Sequence, residues 1–131
     1  MEESLSARMS ITYVGKLKLS RALKHEEVSK INPTIGTMWE LDKTHNGMEL
    51  YITNDLKDEY SHHDAYGDLM HIMGCLERDV RVDGMIQIFN GDGPPKALEV
   101  INNGHKRRIE MVQLKLIFDR TEWVNDVDCA Y

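Results

Sequence analysis

The sequence predicts an α+β fold: an antiparallel-rich sheet of about six strands with two helices packed on one face. Three observations predict it. Ile11–Leu19 and Met111–Phe118 alternate with the period of a half-buried strand. Ala65, Leu69, Ile72 and Leu76 repeat at helical spacing. Two glycine-bearing turns, Lys43–Gly47 and Asn102–Gly104, each separate a pair of strand-like runs.

In chain order, Ile11, Tyr13, Gly15, Leu17 and Leu19 share one face of the first strand, with Lys16 and Lys18 on the other. Lys24–Asn32 reads as a short helix, with Glu26 and Glu27 at the positive end of its dipole and Pro33 as its stop. Met38–Asp42 and Met48–Thr53 form a hairpin, and Asn54–Tyr60 reads as loop. Ser61 with Asp64 approximates a capping box, so the main helix starts there and should end near Asp79. Gly67 and Gly74 cost that helix about 1 kcal/mol each relative to alanine, for which close approach of another backbone would compensate. Val82–Phe89 is a strand interrupted by Gly84. Ala97–Ile101 and His105–Phe118 form the second hairpin, and Asp119–Tyr131 reads as an acidic tail anchored by Trp123. The order is β-α-β-β-α-β-β-β, whose first six elements match a split βαβ arrangement. The expected core joins Leu17, Leu19, Leu69, Ile72, Leu76, Ile86, Leu114 and Leu116.

A chain of 131 residues fits a single domain, 1–131, with 1–10 and 125–131 expected to be flexible. Its 41% hydrophobic and 29% charged content suffices for a core without disulfides or a structural metal. Cys75 and Cys129 make no disulfide framework, and neither a signal peptide nor a membrane span is visible, so a cytoplasmic protein is expected. The formal charge of −6 disfavours general nucleic-acid binding and favours a partner with a basic surface.

Asp64, Asp68, His71 and Cys75 fall within about 60° on the main helix. They form a polar flank, Asp68 paired with His71, short of the three or four ligands a zinc site needs. Neither a metal nor a cofactor is expected. His62 and His63 open the helix but point about 100° apart. No serine sits in a nucleophile elbow, and Asn90–Gly93 lacks the pattern of a phosphate loop, so no catalytic residue is assigned. Lys106, Arg107 and Arg108 form the one compact basic run, a candidate anion contact or the guard of a sheet edge. Alternation sends Lys106 and Arg108 to one face and Arg107 to the other. Asp55, Asp58 and Glu59, with Glu122, Asp126 and Asp128 around Trp123, are candidate binding residues for a basic partner.

Gly15-x-Leu17-x-Leu19-Ser20 with Leu23 and Glu26-Glu27, then Trp39-Glu40, Gly84-x-Ile86 and an Asn-Asn-Gly hairpin, resembles small phage-encoded accessory proteins of unknown function. That resemblance implies a viral inhibitor or sequestering binder acting on a host protein, and carries over no catalytic residue. The leading expectation is a non-enzymatic acidic binding protein that inhibits a host defence protein. The alternatives are a small-molecule or nucleotide binder, a small hydrolase using the second-helix flank, or a module that self-associates through a sheet edge.

Overall fold

The computed structural model describes residues 11–35, 38–45, 47–53, 60–91, 93–117 and 120–125, with the backbone alone at 116 and 117. The elements are β1 (Ile11–Val14), β2 (Leu17–Leu19), α1 (His25–Ile31), β3 (Trp39–Lys43), β4 (Met48–Ile52), α2 (His62–Cys75), β5 (Val82–Asn90), β6 (Lys96–Asn103), β7 (Lys106–Ile117) and β8 (Arg120–Asn125). The strands pair antiparallel in the order β3-β4-β2-β5-β6-β7-β8, with β1 also on β5. The α+β class is as the sequence predicts. Taking β1 and β2 as one strand, the first four strands have the order of a split βαβ unit. β6, β7 and β8 extend the sheet beyond β5.

The strand count exceeds six for two reasons. The first strand is divided at Gly15–Lys16, although its register on β5 is unbroken: Val14 faces Gln87 and Leu17 faces Gly84. Gly15 (φ 112°) and Gly84 (φ 121°) both adopt backbone conformations that side chains resist. A Cβ on Gly15 would lie 2.5 Å from the Met85 carbonyl oxygen, and one on Gly84 would lie 2.6 Å from that of Lys16. Each glycine thus makes room for the opposite backbone where the strand pair bends, and Gly84 lies within β5 without ending it. The second reason is β8, a strand formed by residues read as tail, which pairs with the second half of β7.

α1 packs on α2, and α2 packs on β7. The core between helices and sheet contains Leu17, Leu19, Leu69, Ile72, Leu76 and Ile86, as expected, with Ile31, Trp39, Leu50, Val82 and Leu98 also fully enclosed. Leu114 is a correction. The core residue on β7 is Met111, opposite Leu98, so Leu114 has the opposite parity and points away from the helices, half-buried. The side chain of Leu116 lies outside the described residues.

Two further expectations change on α2. The helix ends at Cys75, because Leu76 is extended (φ −87°, ψ 143°), and the chain turns through Val80 into β5. Gly74 has nothing within 4 Å of where a Cβ would stand, so no backbone approaches it.

Three substitutions test this packing by urea unfolding. Gly84→Ala should cost about 2–5 kcal/mol, combining an unfavourable positive φ with a backbone clash. Gly74→Ala, in open space, should stabilise by up to about 1 kcal/mol. Ile72→Ala should cost about 2–5 kcal/mol. Equal effects at the two glycines would contradict the account of the bend.

Candidate functional site: the sheet face opposite the two helices

The second-helix flank is built into the structure by its own contacts. Trp39 Nε1 donates to the Tyr60 hydroxyl at 2.8 Å, and that hydroxyl donates to Asp68. Tyr13 donates to the Tyr60 carbonyl. Burial raises the Tyr60 hydroxyl well above the usual phenol range, and the hydrogen bond to the Asp68 carboxylate adds to the shift. Asp68 therefore pairs with Tyr60 and not, as expected, with His71. Cys75 Sγ lies 3.8 Å from His71 Nε2 and 3.9 Å from the Lys30 carbonyl oxygen, tying α2 to α1. Asp64 and Ser61 close the capping box at 3.1 Å in each direction. The ring centroids of His62 and His63 lie 4.1 Å apart with their planes tilted by 38°, rather than diverging. Among the described residues no three His, Cys, Asp or Glu side chains gather as metal ligands do.

The basic run divides as alternation predicts. Arg108 is exposed and bonds Glu110 at 2.9 Å, and Lys106 is exposed. Both lie on the first half of β7, where among the described residues β6 alone pairs, as the edge-guard reading expects. Arg107 points inward. Its Nη1 donates to the carbonyls of Glu77 (3.1 Å) and Val80 (2.6 Å), and its Nη2 to those of Met73 and Leu76 (both 3.1 Å). The carbonyls at the end of a helix have no intrahelical donor, and a guanidinium there also meets the negative end of the dipole. All four terminal N–H groups are thus occupied, and an anion would have to displace them.

Glu27, only 2% exposed, grips the same turn from the other side. It accepts from the Glu77 backbone N–H at 2.8 Å, from the Lys24 N–H at 2.8 Å, and from Arg21 at 2.8 and 3.2 Å. Arg21 also bonds Asp79 at 2.7 and 2.8 Å. Burial alone would raise the Glu27 carboxyl, but Arg21 and the two backbone donors hold it at about 2. Burial pulls the Arg107 guanidinium downward, opposed by the charges of Glu27 and Asp79.

The acidic candidates are only partly placed. Asp55, Asp58, Glu59, Asp126 and Asp128 lie outside the described residues. Glu122 is exposed on β8 and lies 3.6 Å from Arg120. Trp123 is half-buried opposite Leu114 on β7. Its neighbours are what sequence reasoning missed. The register places Val14, Gln87, Ala97, Val112 and Asn125 in one row on the face turned away from the helices. The next row holds Thr12, Phe89, Leu114 and Trp123, with Leu114 donating its N–H to the Pro95 carbonyl at 2.9 Å. Ala97 and Val112 are buried at the centre, whereas Val14 is 47% and Phe89 39% exposed.

Toward β3 the same face becomes charged. The Tyr51 hydroxyl lies 2.6 Å from Glu40 and 2.8 Å from Asp42, which raise its pKa, and the Lys16 ammonium sits 4.9 Å over its ring. A shallow hollow of about 820 Å³ lies here between the two regions, lined among others by Val14, Lys16, Glu40 and Tyr51. Among the described residues both helices lie on the opposite side. The signal for this face was the alternation in β7, where the more apolar set, Val112 and Leu114, proves to be the one facing away from the core. The chain matches no family model, no curated protein and no solved structure.

Two measurements test the clamp on the α2 turn. Arg107→Met should cost about 2 kcal/mol or more, because the Leu76 and Val80 carbonyls lose the Arg107 donor at about 1–3 kcal/mol each while those of Met73 and Glu77 keep a backbone N–H, and Arg107→Lys should recover only part of it. Glu27 is held below its ordinary value of 4.5, so its contribution is complete above that pH and fades as pH falls from 4.5 toward 2. Glu27→Gln should therefore be less stable than the parent at pH 6, and the difference should shrink by pH 3. A constant difference would contradict the assignment.

Proposed function

We propose that the protein is a non-enzymatic acidic binding protein whose sheet face opposite α1 and α2 captures a partner protein with a basic surface. The observation that carries this reading is the exposure of Val14 and Phe89 in adjacent rows with Leu114 and Trp123. Contiguous apolar surface rimmed by polar groups marks interaction sites, and aromatic residues dominate their energetics. The Glu40–Asp42 pair on the same face and the net charge of −6 favour a basic counterpart. Trp123 and Phe89 serve as anchors, whereas Glu122 alternates with Trp123 along β8 and lies toward the other face.

The resemblance to small phage proteins extends the reading to inhibition of a host defence protein in the host cytoplasm. Among the described residues no helix is long and apolar enough to cross a membrane. The expected alternative on the second-helix flank finds less support, since Asp64, Asp68 and Cys75 hold structural contacts. β8 is an outer strand of the sheet and offers an edge for self-association, with Arg120 and Glu122 exposed along it.

The test is capture from host lysate with the parent protein and with Phe89→Ser and Trp123→Ala, each first checked by thermal melting. Both variants should melt within a few degrees of the parent, because neither residue belongs to the core between helices and sheet. A basic protein should be retained by the parent, released at least tenfold faster by Trp123→Ala, and bound more slowly as salt rises. Unchanged retention by both variants would place the interface elsewhere. A collapse in melting temperature for Trp123→Ala would make that residue structural and remove the anchor.

A further inference from the structure

From Lys106 to Met111, β6 alone pairs with β7 among the described residues, and β8 pairs only from Val112 onward. Leu114 donates its N–H to Pro95, on the β6 side. Strand alternation then turns the N–H and C=O groups of Arg107, Ile109 and Met111 to the other side, along an open edge. The Tyr66 hydroxyl reaches the Ile109 carbonyl there at 3.4 Å, which sets that side of α2 above the same edge. Met70 and Gly74 follow Tyr66 at i+4 and i+8, on the same side of the helix. Met70 is 52% exposed, and nothing lies within 4 Å of where a Cβ on Gly74 would stand. A glycine within a helix is destabilising, and no contact among the described residues accounts for this one.

We propose that two copies of the chain associate through these edges, β7 against β7 about a two-fold axis, with α2 packed on α2. A continuous antiparallel sheet needs that axis perpendicular to it, and the charges choose the register. Centring the axis on Ile109 sets Arg108 opposite Glu110 of the second copy, twice over. Centring it on Arg107, Arg108 or Glu110 opposes like charges, which destabilises a strand pair. Arg108 and Glu110 of one chain already lie 2.9 Å apart, but Arg108 is 61% exposed and a solvent-exposed pair is weak. The carboxylate has acceptor sites for a second guanidinium. Arg107, Ile109 and Met111 supply the backbone hydrogen bonds, and the Ile109 carbonyl has a lone pair besides the one Tyr66 uses. α2 runs along β7, with its Met73 and Leu76 carbonyls on Arg107 and Tyr66 beside Ile109. The same axis therefore brings the two α2 helices together antiparallel, with Met70 as the apolar contact and Gly74 permitting close approach. The interface lies apart from Phe89 and Trp123, so it stands or falls independently of the proposed capture of a basic partner.

The experiment is sedimentation equilibrium of the full chain and of Arg108→Glu and Glu110→Arg. The parent should approach twice its mass of 15.1 kDa as concentration rises. Each variant alone sets like charges against each other across the axis and should dimerise at least about tenfold more weakly. An equimolar mixture of the two should regain the dimer, because the substituted positions then face each other with opposite charges, as do the native ones. Positions 108 and 110 still carry like charges within each variant chain, so a role in folding alone gives no such rescue. Met70→Glu should also weaken the dimer, without lowering the melting temperature of the dilute chain. The Arg107, Ile109 and Met111 amides should exchange with solvent more slowly as concentration rises. A monomer at every concentration, no rescue on mixing, or an undiminished dimer in Met70→Glu would overturn the proposal. So would protection of those amides in the dilute monomer, the result expected if the chain's own residues after Asn125 cover the edge.

Discussion

The short turn from Met73 to Val80 carries the structure, because it is where the helices, the start of β5 and the β6–β7 hairpin meet. Two charges of opposite sign hold it. Arg107 reaches from β7 to four of its carbonyls, and Glu27 reaches from α1 to the Glu77 N–H. A buried charge is destabilising unless it is hydrogen-bonded: Arg107 places all four terminal N–H groups on backbone carbonyls, although its buried Nε has no partner among the described residues, and Glu27 accepts from two backbone N–H groups and from Arg21. The arrangement fixes where α2 stops, how α1 lies against it and which face of β7 looks inward. Arg21 ties the cluster to Asp79 and so to the approach to β5.

That constraint has a consequence for the rest of the sheet. With Arg107 inward, alternation along β7 carries Ile109 and Met111 to the helix side and Val112 and Leu114 to the other. The apolar rows containing Phe89 and Trp123 are thereby turned away from both helices. Folding on the helix side is already complete with Leu17, Leu50, Ile72, Ile86 and Leu98 in contact. On the far side Ala97 and Val112 are buried as well, whereas Val14 and Phe89 remain exposed, which is the physical basis for reading that face as an interaction surface. The bend permitted by Gly15 and Gly84 sets the hollow beside Val14 at the border between the apolar rows and the Glu40–Asp42 pair.

Much of the architecture was legible in the sequence, because local signals agreed with tertiary packing. Ser61 with Asp64 placed the start of α2, the two glycine-bearing turns placed the hairpins, and period two in Ile11–Leu19 identified the buried Tyr13, Leu17 and Leu19. The misses have physical causes. Alternation in β7 separated two sets of residues correctly but could not say which faced the helices, and the more apolar set proved to face away. Arg107 read as a surface cation because nothing in its own segment reveals that the end of a helix packed on β7 will take up its donors. β8 is polar and charged along much of its length, so its pairing depends on β7 and not on its own pattern.

The central claim is that Val14, Phe89 and Leu114, around the buried Ala97 and Val112 behind the sheet, are reached by solvent in the free protein. Solvent paramagnetic relaxation enhancement by a soluble gadolinium chelate, read at assigned methyl groups, tests it without knowledge of any partner. The account predicts strong enhancement at Val14 and clear enhancement at Leu114, while Leu69, Ile72 and Leu98 remain protected. Protection of Val14 and Leu114 equal to that of Leu98 would mean that the face is covered in the free chain, and would contradict the account.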